Sequence, residues 1–351
     1  MQINTLRLQN YRNHKNLELE FDPKITLIVG PNGTGKTNIL ESIYLLSTVK
    51  SPRTRYDRDL IKHKHKFCTI NANILSDGEE YILDVQVIGS EKFENASVKK
   101  VKVNRVAKSH RSFNTMFNAV LFMPEDIRIL TGSPSKRRHY MDFTLAQIDY
   151  TYKKAHTNYL KALRQRNKLL HIIRETGRGH NQIEFWNEKL VQNGQYIQNK
   201  RQEMMDFFGK AMKTNGNNIL KNGNEIKLEY LKNEIGYKRM AKYRNKELGA
   251  GTTLIGPHRD DFEISLGGHP ISQFGSRGQQ RSVLLALKLA EIEFIEKVIG
   301  EKPVLLLDDI FSELDDMHKK QVTKTITQQQ TIITSTNVLD ELENVKITYT
   351  N

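Results

Sequence analysis

The sequence predicts an α/β fold in which a phosphate-binding sheet carries a β-rich arm and an inserted α-helical hairpin lobe. A short apolar strand runs into a glycine-rich loop at 30–37, and a second apolar strand ends in two aspartates at 308–309. Between them, apolar residues recur every seven positions from 183 to 204. Because the two strand-loop motifs lie at opposite ends of the chain, the insertion separates two halves of one nucleotide-binding head.

The glycine-rich loop has the pattern G-x-x-x-x-G-K-[ST], from Gly30 to Thr37. The strand ITLIV precedes it, and an apolar stripe through Ile39, Leu40 and Ile43 predicts a helix after it. In this context the backbone N–H groups wrap phosphates, Lys36 reaches the β- and γ-phosphates, and Thr37 coordinates Mg²⁺. The predicted nucleotide-binding residues are Gly30, Pro31, Asn32, Gly33, Thr34, Gly35, Lys36, Thr37 and Asn38.

The stretch KPVLLLDDIFSELDD supplies the carboxylate that such a site requires. Asp308 follows the buried strand VLLL, at the sheet edge where parallel α/β proteins bind ligands, and is predicted to hold Mg²⁺. Asp309 points differently and is predicted to polarise the attacking water. The alternative, two acids that cap the next helix, fits Asp315 and Asp316 better than Asp308.

The middle of the chain predicts a β-rich arm at 67–106, where residues alternate with period two. Two helices follow, with a turn at 176–182, and the second repeats at Ile183, Leu190, Ile197 and Met204. A short coiled coil and two ordinary bundle helices remain equally open. The predicted domains are 1–132 (N-terminal half of the head with the arm), 133–250 (helical lobe) and 251–351 (C-terminal half).

The stretch FGSRGQQRSVLLALKLA opens an apolar helix with glycines, glutamines and arginines and without an acid. A helix start with bare N–H groups and a positive dipole end is an anion site. The start of this helix is therefore a candidate anion site, with Arg277 and Arg281 adding positive charge.

These motifs together resemble the ABC-type ATPases of the SMC group and, more closely, the RecF family. The resemblance rests, in order, on GPNGTGKTNILESIYLL, FMPEDIRILTGSPSKRRHYMD, LRQRNKLL, GPHRDDF, SRGQQR and LLLDDIFSELD. It implies an ABC-type head that binds ATP and Mg²⁺ and forms an ATP-dependent homodimer, head to tail. Ser276, Gly278 and Gln279 would then meet the ATP of the other subunit, while Lys36, Asp308 and Asp309 serve catalysis.

The resemblance further implies binding to DNA near single-strand gaps, recombinational repair and replication restart, recombinase loading with the partners RecO and RecR, and a place in the SOS response. Asp309 stands where many ABC ATPases have a longer glutamate, which predicts slow hydrolysis by a weak, DNA-stimulated ATPase that acts as a switch. Thr334, Ser335 and Thr336 stand where transporter ATPases have a switch histidine and are the candidates for sensing phosphate. Glu125 or Asp126 is the candidate for the Q-loop residue.

The charge of the chain favours a polyanionic partner, since 54 basic residues face 40 acidic ones and the net charge is +14. Basic clusters suit sequence-independent contacts to the backbone of duplex DNA, whereas solvated faces remain the alternative for each cluster alone. Few aromatic residues lie among them, so stacking on single strands is not indicated. The predicted DNA-binding residues are Lys99, Lys100, Lys102, Arg105, Lys136, Arg137 and Arg138, and the hairpin adds Arg164, Arg166 and Lys168.

Two other functions remain open: an ABC transporter-type ATPase subunit, and an ATP-binding scaffold that never hydrolyses its ligand. The missing switch histidine and the basic clusters stand against the first, and Lys36 with Asp309 against the second. Cys68, the one cysteine, is predicted to be buried in a strand. No run approaches the roughly 18 apolar residues of a membrane span, which predicts a cytoplasmic protein without a membrane partner. The polar residues 258–261 fit a structural turn and an ATP-linked role equally.

Overall fold

The fold is taken from a computed structural model, in which residues 1–90, 93, 95–114, 116–219, 225–313, 319, 322–323, 326–339, 342 and 345–350 are described. The strands are β1 Gln2–Tyr11, β2 His14–Glu20, β3 Ile25–Val29, β4 Phe67–Ser76, β5 Glu79–Gly89, β6 Ser97–Val103, β7 Val106–Lys108, β8 Ala119–Phe122, β9 Ile226–Leu231, β10 Asp261–Leu266, β11 His269–Pro270, β12 Val304–Asp308, β13 Thr331–Ser335 and β14 Lys346–Tyr349. The α-helices are α1 Lys36–Thr48, α2 His110–Asn114, α3 Ile127–Thr131, α4 Pro134–Ile148, α5 Tyr150–Thr176, α6 Ile183–Ile219, α7 Tyr237–Ala250, α8 Ile271–Phe274 and α9 Arg277–Ile299.

The chain divides into two compact units with bounds that differ from the predicted domains. The first unit comprises residues 1–126 and 291–351, and the second comprises residues 127–290. Residues 251–290, which the sequence predicts in the C-terminal half of the head, therefore lie in the second unit, because β10 pairs with β9 there. The three-domain division stays a prediction.

A five-stranded parallel sheet in the first unit carries both nucleotide motifs. Its order is β14-β3-β13-β12-β8, and every neighbouring pair is parallel. Residues of β3, β12 and β13 are buried throughout, as strands covered on both faces must be. The glycine-rich loop follows the carboxyl end of β3, and Asp308 is the last residue of β12, which brings both to one edge of the sheet.

A six-stranded antiparallel sheet, in the order β2-β1-β4-β5-β6-β7, is the other layer of the first unit. The predicted β-rich arm forms β4, β5 and β6, and the sheet also includes both N-terminal strands. Inward residues alternate with solvent-facing ones, and Cys68 in β4 is fully buried, as predicted.

The helical hairpin lies in the second unit as α5 and α6, which pack along each other. The heptad residues Ile183, Leu190, Ile197 and Met204 are all buried. The motifs NGNN and KNGNE predict a loop around 215–225. This is wrong for 215–219, where helix α6 continues, and 220–224 lie outside the described residues. The small antiparallel sheet β11-β10-β9 completes the unit. No helix in the described part of the chain is long and apolar enough to cross a bilayer.

Candidate nucleotide-binding site

The glycine-rich loop wraps around Lys36 at the start of α1. Gly33 and Gly35 have φ of +89° and +100°, which L side chains rarely adopt. The Lys36 ammonium donates to the carbonyls of Gly30 at 2.6 Å and Pro31 at 2.9 Å, and is buried. With a cation inside a loop of N–H groups at a helix N-terminus, the loop fits a polyphosphate.

Asp308, at the carboxyl end of β12, accepts hydrogen bonds from two hydroxyl groups. Its Oδ1 accepts a hydrogen bond of 2.9 Å from Thr37 on α1 and one of 2.8 Å from Thr334 on β13. One carboxylate and a hydroxyl are the oxygen donors that protein Mg²⁺ sites combine with water and phosphate. These residues therefore fit Mg²⁺.

The electrostatic setting of Asp308 also favours a cation. Burial, the largest cause, raises the pKa of this carboxyl, and the nearby Glu125 raises it further. The hydrogen bonds from Thr334 and Thr37, and the charge of Arg53, lower the pKa and oppose that rise. A desolvated carboxylate beside a second acid gains most from a bound cation.

Asp309 leaves the strand in a left-handed conformation, with φ of +50°. Its N–H donates to the Thr334 carbonyl and hydroxyl oxygens, both at 3.1 Å. Aspartate tolerates this backbone better than most residues, and such conformations cluster at functional sites. The different roles of Asp308 and Asp309 stay a prediction.

The three residues predicted to sense phosphate differ in their contacts. Thr334 is buried and bonded to Asp308, whereas the Ser335 hydroxyl accepts from the Asn337 N–H at 3.3 Å. Thr336 is half-buried. Only Thr334 of these three is tied directly to the predicted magnesium carboxylate in the described structure.

Glu125 and Asp126, the two Q-loop candidates, are also distinguished by their surroundings. Asp126 accepts a 3.0 Å hydrogen bond from the Met123 N–H and so closes its own turn. The charge of Glu125 instead reaches Asp308 and raises its pKa. Glu125 is therefore the better candidate of the two.

The start of α9 lies in the second unit, where Ser276 and Gln279 form a reciprocal capping box. The Gln279 N–H donates to Ser276 Oγ at 3.3 Å, and the Ser276 N–H donates to Gln279 Oε1 at 2.9 Å. This local role was not foreseen from the sequence, although the Ser-x-x-Gln spacing signals it. Ser276, Arg277 and Gly278 are exposed, and a Cβ on Gly278 would meet nothing within 4 Å. The backbone there is open to a ligand.

Comparison with known proteins places this geometry in a family. The family model described as the RecF/RecN/SMC N terminal domain matches residues 2–348. A DNA replication and repair protein RecF of an Exiguobacterium species is 36% identical over 353 residues, covering 96% of this chain and 93% of the relative. The corresponding RecF of Herpetosiphon aurantiacus is 34% identical and covers 97% and 94% of the two chains. The chain belongs to the RecF family.

Solved structures agree with this assignment. The recombination mediator protein RecF of the RecFOR pathway, solved with ATP, matches with a TM-score of 0.87 and 32% identity, covering 97% of this chain and 93% of that chain. An Smc head domain from Pyrococcus furiosus matches with a TM-score of 0.53 and 19% identity, covering 95% and 89%, and shares the fold. Both the predicted SMC-head-like α/β fold and the predicted resemblance to RecF are confirmed.

Residues that sequence reasoning missed also line the glycine-rich loop of this RecF family member. Asn13, in the turn between β1 and β2, donates to the Thr34 carbonyl at 2.8 Å, and a His14 ring nitrogen lies 3.2 Å from the Gly35 carbonyl oxygen. Thr350, after β14, lies 3.0 Å from the Thr34 hydroxyl. The polar pair Asn13 and His14, where the chain turns from β1 into β2, was the available signal in the sequence. The sequence carries no comparable signal for Thr350.

Lys99, predicted to bind DNA, instead points into the first unit. Its side chain is 6% exposed, and its ammonium donates to Asp57 at 2.7 Å and to the Val49 carbonyl at 2.6 Å. Lys99 points inward because side chains alternate between the two faces of a strand, and Lys99 is on the same face as Val101 and Val103. Lys99 is therefore withdrawn from the DNA surface, whereas Lys100, Lys102 and Arg105 are exposed.

Arg137, Arg138 and Arg166 in the second unit require the same correction. Arg137 forms a two-pronged ion pair with Asp261, at 2.6 and 2.8 Å. Arg138 is half-buried and donates to the Asp260 carbonyl at 2.9 Å, while Arg166 is 2% exposed. These guanidinium groups hold the fold together. Lys136 is exposed and remains a candidate.

The polar residues 258–261 form part of this internal network. Asp260 is fully buried and accepts from Arg201 at 2.9 Å, from Gln198 at 2.8 Å, and from the Tyr230 hydroxyl. His258 lies between the Tyr159 hydroxyl at 2.7 Å and the Thr253 carbonyl at 3.1 Å. These contacts favour the structural turn over the ATP-linked role.

Proposed function

We propose that this protein is an ATP-switched DNA-binding protein of recombinational DNA repair and replication restart. The observation that carries the proposal is the convergence of Lys36, Thr37 and Asp308 at one edge of the parallel sheet. Support comes from the RecF relatives, which are named DNA replication and repair proteins, and from the RecF solved with ATP. ATP with Mg²⁺ is the ligand that this donor set fits.

In the bound state, the N–H groups of residues 32–37 hold the phosphates, and Lys36 exchanges its loop carbonyls for phosphate oxygens. Mg²⁺ supplies charge neutralisation on the β- and γ-phosphates, with Thr37 and Asp308 holding it. Asp309 orients the attacking water. Because the shorter aspartate reaches less far than a glutamate, hydrolysis is slow and acts as a reset, stimulated by DNA.

The γ-phosphate completes a head-to-tail homodimer by meeting the start of α9 of a second copy. Ser276 Oγ accepts within its own capping box, so its hydroxyl hydrogen is available to a phosphate oxygen. Gly278 leaves the backbone open, and the helix N-terminus favours negative charge. ATP therefore acts as the bridge, and its loss separates the copies.

The closed dimer binds the phosphates of duplex DNA through exposed basic residues that include Lys100, Lys102, Arg105 and Lys136. The proposed site of action is a single-strand gap junction in the cytoplasm, with RecO and RecR as partners in loading the recombinase; the RecF solved with ATP is described as part of the RecFOR pathway. A place in the DNA damage (SOS) response follows from that activity.

The decisive experiment is the molecular mass in solution with and without ATP and Mg²⁺, at modest salt, with a short duplex DNA. We expect a monomer that dimerises on ATP and binds duplex only then. Ser276→Arg should bind ATP yet remain monomeric, since its phosphate loop is intact. Thr157→Arg, which adds the same charge to an exposed face of α5, is the matched control.

A monomer throughout, or a Ser276→Arg variant that still dimerises, would reject the head-to-tail arrangement. Dimerisation without any ATP turnover, in the wild type as in Lys36→Arg, would favour the ATP-binding scaffold instead.

A further inference from the structure

Helix α7 in the second unit is strongly basic and lies outside every basic cluster considered above. Its fourteen residues include five basic ones and a single acid, Glu247. The five are Lys238, Arg239, Lys242, Arg244 and Lys246.

The one acid of α7 does not reach the surface. Glu247 is fully buried and accepts from Arg166 at 2.6 Å and from the Leu254 N–H at 2.8 Å. Met240, one heptad earlier, is buried on the same side. The buried side of α7 is thus neutralised internally, and its exposed side carries only positive charge.

Three of the lysines form a regular row. Lys238, Lys242 and Lys246 are four residues apart, so they share a helix face and are separated by about 6 Å per step. All three are exposed. The row presents ammonium groups on three successive turns of the helix.

This arrangement is unfavourable for the helix by itself. Like charges four residues apart destabilise a helix, and Lys238 and Arg239 lie in the first turn, where the dipole disfavours cations. Within the part of the chain that the structure describes, none of the five has a carboxylate within 4.0 Å. Folding alone does not account for such a row.

We propose that the exposed face of α7 binds the sugar–phosphate backbone of a nucleic acid. This inference rests on the proposed function, because it assigns a second DNA-contacting element to it. A row of mobile ammonium groups at regular spacing suits a rod of evenly spaced phosphates better than the irregular charges of an acidic protein.

Tyr243 indicates which part of the nucleic acid α7 contacts. Arg239 and Lys246 each lie 5.6 Å from the centre of its ring. Because cations already lie over this ring, it does not serve as a stacking platform for bases. The face therefore contacts phosphates, without sequence preference.

The test measures how duplex affinity depends on salt for the full chain with ATP and Mg²⁺. The variant carries Lys238→Gln, Lys242→Gln and Lys246→Gln, and the control carries Lys154→Gln, Lys161→Gln and Lys210→Gln, three exposed lysines of the same unit. We expect the α7 variant to lose at least ~10-fold in affinity at 0.1 M salt and its log–log salt slope to fall by about 2 to 3. The control should change the slope by less than about 1.

An α7 variant whose affinity depends on salt as steeply as that of the wild type would overturn the inference. An equal loss of affinity in the control variant, or a wild type that binds no nucleic acid, would overturn it as well. The wild type could also bind DNA without needing ATP while the α7 variant still shows a weaker salt dependence of affinity. That result would reject the proposed ATP switch and leave the α7 inference standing. Thermal unfolding keeps misfolding apart from lost binding: the melting temperature of the α7 variant should equal or exceed that of the wild type, since like-charge pairs are removed.

Discussion

At the scale of single residues, Asp308 is positioned by two hydroxyl groups from different elements. Thr37 comes from the first turn of α1 and Thr334 from β13, and both donate to the same carboxylate oxygen. Thr334 also accepts from the Asp309 N–H. One buried threonine therefore holds the carboxylate of Asp308 and the backbone of Asp309.

Replacing Thr334 with valine should reduce steady-state ATP turnover by about 10-fold, because a hydrogen bond to a charged group is worth roughly 1.5–3 kcal/mol. The valine has nearly the same shape, so packing is preserved. Thr334→Ser keeps the hydroxyl and should stay within about twofold of the wild type. Turnover of Thr334→Val equal to that of Thr334→Ser, measured over a range of Mg²⁺ concentrations, would contradict the positioning role.

At the scale of elements, Arg166 ties three helices of the second unit together. From α5 it donates to Asn187 on α6 at 2.7 Å, to Glu247 on α7 at 2.6 Å, and to the Thr253 hydroxyl at 2.9 Å. The small apolar core of Leu169, Leu170, Ile173 and Ile183 packs near the same turn of the hairpin. The hairpin is thus held by one buried guanidinium as well as by apolar contacts.

We expect Arg166→Met to lower the free energy of unfolding by about 3–5 kcal/mol, since it leaves Glu247 buried without its cation. The double variant Arg166→Met with Glu247→Leu should recover part of that loss, because a buried ion pair can be replaced by apolar residues at little cost. Urea unfolding of the three proteins measures both effects. Equal stability of the single and double variants would show that the ion pair is not the cause.

At the scale of the whole molecule, half-buried histidines make stability depend on pH. Burial, the largest cause, lowers the pKa of His258 to about 4 from its ordinary 6.5, and the charges of Arg259 and Arg138 lower it further. The hydrogen bond to Thr253 and the charge of Asp260 oppose this. Burial likewise lowers the pKa of His14, beside the phosphate loop.

At His258 the unfolded chain therefore binds more protons than the folded chain between about pH 4 and 6.5, so this residue makes stability rise with pH across that window. The contribution of His258 is complete above 6.5, is lost as pH falls towards 4, and amounts to about 3 kcal/mol at most. His258→Gln should weaken the dependence of the free energy of unfolding on pH, measured by urea unfolding at constant ionic strength. A profile as steep as that of the wild type would assign the dependence to other groups.

The sequence by itself determined the features that depend on neighbours along the chain. The spacing of Gly30, Lys36 and Thr37, the apolar strand before Asp308, and the heptad of α6 each carry their meaning within a few residues. Local backbone geometry and hydrophobic periodicity act over the same distance, so these elements could be predicted. The alternation of side chains along β6 also indicates that Lys99 points inward, on the same face as Val101 and Val103.

Only the tertiary structure decided which charged groups are inside and which residues far apart in sequence share the site. Asn13 and Thr350 reach Thr34 from opposite ends of the chain, and Thr334 reaches Asp308 across the sheet. In the sequence, Arg137 and Arg166 cannot be told from surface charges. Each is paired in the fold with a carboxylate about 80 to 120 residues away along the chain, and nothing near the arginine in sequence indicates that partner. The amino-acid composition does not distinguish buried from exposed basic residues. Packing determines whether each one pairs with a carboxylate in the interior or remains in water.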